Sequence, residues 1–491
     1  LTCIKAAGAR LGYKQRVRSS LMTDLGSLPA VPVARVERAP VVPGLTAARG
    51  WFLFAIGSLV LAGLLSLTLV VGRLPFLSGL FTDPLFFKRA LVVHVDLAIV
   101  VWFQAGTLTL LGWALGPRLP RGVTRLAQVL AAAGVVGLLL GAVMPGALPV
   151  LSNYVPVIDH PVFFAGLVCW FTGVSIFFLT ALVTPARTDA QALDPGTVLA
   201  LRAAAAANVL GALTFVGAWL TTPKAEPLPY AELIFWGGGH VLQTANVATM
   251  LALWLHLQHR LTARPALTPG VAGALLLALI LPQTIMPWLA FKGTTETAYF
   301  SMATHLMRWT IFPVVLVFGG ALGAQLWRQR TEFKRSDYRF TGLAGSAVLT
   351  LMGFALGALI RGSTTLVPGH YHCAIGAVTI ALMAVAYEFC TTAGPVGLIP
   401  APWRRARWQL LLFGSGQAVF GLGFALAGAY GMGRKQYGVE QHVRSLGEYL
   451  GLTVMGLGGL VAVVGGVFFL TVMVRGISAW RPQFSSLPET P

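Results

Sequence analysis

Charge is scarce in this chain, and acidic charge scarcest: 16 Asp and Glu stand against 35 Lys and Arg in 491 residues, with 10% of positions charged and 56% hydrophobic. A soluble domain carries about a quarter of its residues as charges, so this balance excludes one and points to a multi-span membrane protein with lipid for solvent. Cysteine is nearly absent too. Cys3, Cys169, Cys373 and Cys390 show no C-x-x-C spacing, and three of them lie in or at the end of apolar runs. No disulfide framework is implied, and they read as small core residues. The first fifty residues lack a compact apolar stretch and a small-residue cleavage site, and are basic and rich in Pro and Ala. They read as a cytoplasmic tail rather than a signal peptide, with Met22 an alternative start. A net charge of +19 would suit nucleic acid in a soluble protein; in a chain this apolar it marks loops held on the cytoplasmic side, and nucleic-acid binding is set aside.

What is present is a series of apolar windows of about 20 residues, the length that crosses a hydrocarbon core. They begin near Trp51, Ala90, Leu126, Pro161, Val198, Leu233, Gly270, Ser301, Leu343, Gly369, Leu410 and Gly451. The expected fold class is an all-α membrane bundle of twelve transmembrane helices over residues 51–476, with 1–50 and 477–491 as cytoplasmic tails. With the N-terminus inside, 25 of the 35 basic residues fall on inner segments and nine on outer ones, Arg308 lying within the eighth span. That is the asymmetry a multi-pass inner-membrane protein should show.

An ionisable side chain inside a span is costly and is a functional candidate for that reason. In this topology His94, His240, His305, His370 and His372 fall in the early turns of the second, sixth, eighth and tenth spans, and so share one layer in the outer half of the membrane. Convergence of several imidazoles at one depth is what a metal or haem centre needs, since imidazole is the usual axial donor to haem iron. A single such histidine reads equally well as a satisfied core residue; four helices at one depth make that reading weak. Within Gly-His370-Tyr-His372 the two imidazoles project about 200° apart on a helix, so each can serve a different haem.

These elements resemble the catalytic subunit I of the haem-copper oxidase superfamily. Val-Pro-Gly-His370-Tyr-His372-Cys-Ala-Ile-Gly-Ala looks like its tenth-helix H-x-H element, and Val93-His94-Val-Asp-Leu-Ala like its second-helix element. Tyr230-Ala-Glu-Leu-Ile-Phe-Trp236-Gly-Gly-Gly-His240 is similar to the sixth-helix metal-binding pattern, Ala298-Tyr299-Phe300 to the start of the eighth, and Gly-Met-Gly-Arg434-Lys435-Gln-Tyr437 to the loop before the last helix. The resemblance implies a low-spin haem held by His94 and His372, a high-spin haem on His370, a non-haem metal on His240, and propionates on Arg434 and Lys435. It also implies an electron-delivering partner subunit of cytochrome c or cupredoxin type, because no C-x-x-C-H or dicopper motif is present.

The chain departs from the oxygen-reducing pattern at several points. Thr244 stands where those members carry a tyrosine four residues after the sixth-helix histidine, and no two histidines are adjacent anywhere. His305 is the nearest substitute for the missing pair, with Gln283, Met286 and Glu296 as weaker donors. Glu232 is a candidate carboxylate two turns from His240; its plain alternative is an interfacial carboxylate. Asp96 is expected to be a hydrogen-bond partner rather than a ligand, and Arg308 to hold a propionate or an acidic side chain. Proton-path markers are missing as well. Three readings stand at this point: a respiratory reductase of NO or O2, with NO favoured; a di-haem electron-transfer or gas-sensing subunit; and a secondary transporter, which would place carboxylates and broken helices at midplane.

Overall fold

The computed structural model describes residues 45–77, 80, 83–189, 192–393, 403–436, 441–478 and 480, the side chains of 84, 403 and 404 aside. The expected tails before residue 45 and beyond 480, and Tyr437, lie outside the described residues.

Proline and a polar residue just before it open many of the helices. Proline lacks the N–H that a first helical turn leaves unused, and its φ is already helical. Asp83, His160, Asp194 and Thr268 precede such prolines and accept backbone N–H groups of the first turn; Asp337 does the same without one. The helices run α1 (Thr46–Arg73), α2 (Leu85–Arg118), α3 (Arg121–Val143), α4 (Pro161–Val183), α5 (Pro195–Thr221), α6 (Pro227–Thr262), α7 (Pro269–Lys292), α8 (Thr297–Arg328), α9 (Tyr338–Ala358), α10 (Leu366–Ala393), α11 (Trp403–Ala429) and α12 (Leu446–Ser478). Between α3 and α4 a short hairpin pairs β1 (Leu148–Val150) with β2 (Val157–Asp159), Leu148 opposite Asp159. Most helices begin a few residues before the apolar windows because the caps are polar.

Eleven of these helices are long and apolar enough to cross a membrane, so the chain is a multi-pass membrane protein. The expected sixth span, α6, is a helix of 36 residues but is not among the eleven. Its length suffices; the run Gly-Gly-Gly-His240 and the polar residues Gln243, Thr244 and Asn246 dilute its hydropathy.

Burial shows which helices are central. In α10 89% of the apolar window is buried and in α2 72%, against 33% for α1 and α12. The two central helices are those that carry His94, His370 and His372. Around them the outer helices pack in antiparallel pairs, among which α11 and α12 approach most closely. A Cβ on Gly423 would lie 2.1 Å from the Met455 backbone N, and one on Gly458 2.4 Å from that of Phe420, the small-residue contact that lets helices associate where lipid offers no hydrophobic drive.

At the far end of α10, roughly 27 Å from His370 at 1.5 Å per residue, buried Glu388 collects cations. Arg260 Nε lies 2.7 Å from its Oε1, and His256 Nε2 and Arg339 Nε lie 3.5 and 3.8 Å from Oε2. The cluster ties α6, α9 and α10 together, because a carboxylate taken out of water is tolerated only beside its counter-charges.

The close approach of α11 and α12 is testable. Gly458→Val should force them apart and destabilise the bundle by about 1–3 kcal/mol, read as a lower unfolding midpoint in detergent; an unchanged midpoint would show that the helices do not touch there.

Candidate cofactor and metal centre

Between α1, α2, α10, α11 and α12 lies a cavity of about 330 Å³, within the usual size range of cofactor pockets. His94 and His372 both line it, with Arg73, Phe420, Phe424 and Met455. His94 Nδ1 is 2.9 Å from the Ala62 carbonyl. A carbonyl only accepts, so Nδ1 carries the proton and Nε2 keeps its lone pair. His372 lies edge-on to Phe420, ring centroids 4.6 Å apart, and stacked on Phe424 at 5.9 Å. Arg73, buried at the end of α1, lays its guanidinium over the Phe424 ring and donates from Nη2 to the Arg434 carbonyl at 2.9 Å. Two imidazoles, apolar walls and a buried cation thus share one space.

His370, two residues from His372, turns to α9 instead. Its Nδ1 meets the Gly353 carbonyl at 2.7 Å, and its ring fits where a Cβ on Gly357 would stand, 2.8 Å away. Its Nε2 is again left with a lone pair. Orientation of an imidazole by an Nδ1–H bond to a carbonyl is the usual support of a ligating histidine.

His240 begins the same way, with Nδ1 2.8 Å from the Trp236 carbonyl. Its other nitrogen is taken: the hydroxyl of Tyr154 lies 2.7 Å from Nε2, and the two rings lie 4.4 Å apart. Tyr154 sits in the tip between β1 and β2 at φ +67°, a left-handed conformation costly for a bulky side chain. Three features hold it. Asn153 donates from its backbone N and Nδ2 to Glu232 at 3.0 and 2.9 Å; Lys435 Nζ donates to the Leu151 carbonyl at 2.6 Å; and Lys435 Nζ lies 3.7 Å from Glu232 Oε1. Burial, and next the charge of Glu232, hold the Tyr154 phenol above its ordinary range, so it is a neutral donor. Burial lowers the Lys435 ammonium and the Glu232 charge opposes it.

The Gly-Gly-Gly run before His240 now has a physical reason. A Cβ on Gly237 would lie 2.7 Å from the Tyr299 ring, one on Gly238 2.3 Å from Phe215, and one on Gly239 2.3 Å from the Cβ of Tyr154. Each glycine admits one aromatic ring against α6. Tyr299 also accepts the Gly237 N–H and donates to the Leu233 carbonyl, both at 3.0 Å.

Other expected site residues lie elsewhere. His305, Arg308 and Glu296 are exposed, while Tyr299, Ala303 and Leu306 on the same helix are buried. One face of α8 packs on the bundle, and His305 is not on it. Glu232 serves Asn153 and Lys435 rather than His240. Lys435, expected on a propionate, is engaged by Leu151 and Glu232, whereas Arg434 keeps a buried Nε without a hydrogen-bond partner among the described residues. Gln283 bonds Thr310, and Met286 packs against Gly237. Asp96 is buried in a π-helical turn with both carboxyl oxygens unpartnered among the described residues. Among the described residues no three His, Cys, Asp or Glu side chains are grouped to hold a metal ion. Arg73 and Tyr154 went unread in the sequence. Arg73 had a signal, a basic residue closing a span at the level of the histidines; Tyr154 stands 86 positions from its partner and had none beyond the glycine run.

The bundle has the fold of haem-copper oxidase core subunits. It superposes on a heme-copper terminal oxidase dimer solved by cryo-EM with a TM-score of 0.64, covering 91% of this chain and 85% of that one at 15% identity. At that identity the likeness speaks for the fold alone. Among sequence relatives, an uncharacterized protein of Rickettsia prowazekii (strain Madrid E) is 26% identical over 494 residues, covering 87% of this chain and 94% of its own. An uncharacterized protein of Aquifex aeolicus (strain VF5) is 28% identical over 351 residues, covering 70% and 84%. No family model matches the chain.

The cradle at Gly239 yields a prediction. Gly239→Ala should push Tyr154 off His240, destabilise the protein by about 1–3 kcal/mol and expose the β1–β2 tip to protease. Undiminished resistance of that tip in limited proteolysis would show that Tyr154 is not seated there.

Proposed function

We propose that this chain is the haem-carrying subunit of an oxidase-type oxidoreductase of a bacterial inner membrane. A low-spin haem would lie between His94 and His372, and a second, gas-binding haem on His370. The observation that carries the reading is an apolar cavity with both His94 and His372 on its walls. The residues fit the group: two imidazoles on the walls of an apolar space, Arg73 beside them, and Arg434 with a buried Nε that has no hydrogen-bond partner among the described residues and suits a propionate. When bound, haem supplies one-electron exchange and, where an axial position is open, a place for a diatomic gas. The protein's part is to orient the imidazoles through Ala62 and Gly353, to exclude water with Phe420 and Phe424, and to balance propionate charge. Electrons would come from a cytochrome c or cupredoxin-type subunit. NO is favoured over O2 as the gas, because Thr244 replaces the phenol of oxygen-reducing relatives. A second reading, electron transfer or gas binding without a second metal, is favoured by the occupied Nε2 of His240.

His94→Ala or His372→Ala should each abolish the reduced α-band of the low-spin haem while CO binding at the other haem persists. A variant with the full six-coordinate spectrum would rule out the pair.

Arg434→Gln should lower the haem midpoint potentials, since a positive charge favours the reduced, less positive iron. Redox titration checks this, and unchanged potentials would remove Arg434 from the site.

A further inference from the structure

We infer that His240 is not a metal ligand in this chain, and that His240 and Tyr154 form a metal-free phenol–imidazole pair. The inference deepens the second reading above and rests on the proposed function only for what the pair would serve.

An imidazole binds a metal through a nitrogen that carries no proton, and a neutral ring has one such nitrogen. In His240 the hydrogen bond of Nδ1 to the Trp236 carbonyl fixes the proton there. The only lone pair is then on Nε2, and it accepts from the Tyr154 hydroxyl at 2.7 Å. His94 and His370 share the Nδ1 arrangement but have no protein partner on Nε2 among the described residues. The difference lies in one atom. For His240 to take a metal, Tyr154 would have to leave a position to which Gly239, Asn153 with Glu232, and Lys435 with Leu151 all hold it.

The remaining donors give no compensation. His305 and Glu296 are exposed, Glu232 is engaged, and Thr244 uses its hydroxyl on the His240 carbonyl at 3.3 Å. One imidazole does not supply the coordination that a first-row metal requires. With the phenol O–H spent on Nε2 and the Nδ1 proton on the Trp236 carbonyl, the pair leaves no lone pair on the imidazole for a second one-electron metal, which suits gas binding or electron transfer at haem better than bridged reduction.

The test uses the full chain purified from membranes, as wild type, His240→Ala and Tyr154→Phe. Haem is measured as its pyridine haemochrome, and total Fe, Cu, Mn and Zn by mass spectrometry, before and after anaerobic incubation with Fe(II) or Cu(I). The expected result is that haem accounts for all stoichiometric metal in all three proteins, and that incubation adds none that depends on His240. About one extra metal per chain, lost in His240→Ala, would overturn the inference. A wild type without haem would instead defeat the proposed function and leave the metal count to decide the inference by itself. The pairing has its own readout: the unfolding-midpoint losses of Tyr154→Phe and His240→Ala should be clearly less than additive in the double variant, and strict additivity would show that the two side chains do not interact.

Discussion

Each neutral imidazole inside this bundle has one lone pair, and its neighbours decide what that lone pair meets. Backbone carbonyls of Ala62, Gly353 and Trp236 take the Nδ1 proton of His94, His370 and His240 and so aim Nε2 in a fixed direction. Within a bilayer such bonds are close to obligatory, because a buried polar group without a partner loses free energy that water would otherwise supply. The fold thus presents three similarly prepared histidines, of which two offer Nε2 outward and one has it closed by a phenol. The cavity, the arginines near it and the hairpin tip all take their meaning from those directions.

Holding a tyrosine at positive φ over His240 requires more than one contact, and parts of the chain far apart in sequence share the task. Glu232 on α6, Asn153 and Leu151 on the hairpin tip, and Lys435 on the loop before α12 form one polar assembly. The same loop is reached from α1 through Arg73 and the Arg434 carbonyl. The loop positions Arg434 and Lys435 therefore serve different ends despite their adjacency. Lys435 locks the tip, while Arg434 has a buried Nε with no hydrogen-bond partner among the described residues.

Much of the fold was legible because membrane spans depend on composition, and composition is local. The windows starting at Pro161 and Gly270 lie within a residue of the helix starts, while that at Leu233 lies six residues late because α6 opens at Pro227 with polar and proline residues. The opposite faces of His370 and His372 also followed from helical rotation alone. What stayed illegible depends on pairing between distant segments. His305 shares depth with the other histidines, yet depth does not fix azimuth, and the buried residues Tyr299, Ala303 and Leu306 show the opposite side of α8 facing the bundle. Glu232 lies two turns from His240 on one helix, but its carboxylate is claimed by Asn153, a residue in a loop with no periodic signal. The three glycines were the one local trace of that loop, since a helix in lipid tolerates such a run only where something must come close.

Charge follows the same logic at both ends of the bundle. Glu388 is a buried anion at one end and is met by Arg260, Arg339 and His256; Glu232 is an anion at the other and is met by Lys435 and the Asn153 amides. With 16 acidic residues for 35 basic ones, more than half of the cations cannot each have a carboxylate of their own. Arg73 donates to the Arg434 carbonyl and lies over the face of Phe424, and Arg434 has a buried Nε with no hydrogen-bond partner among the described residues. A buried donor without a partner is destabilising for the chain by itself. It is accounted for if an anionic group joins it there, and the propionates of a haem seated between His94 and His372 are anions of the right chemistry.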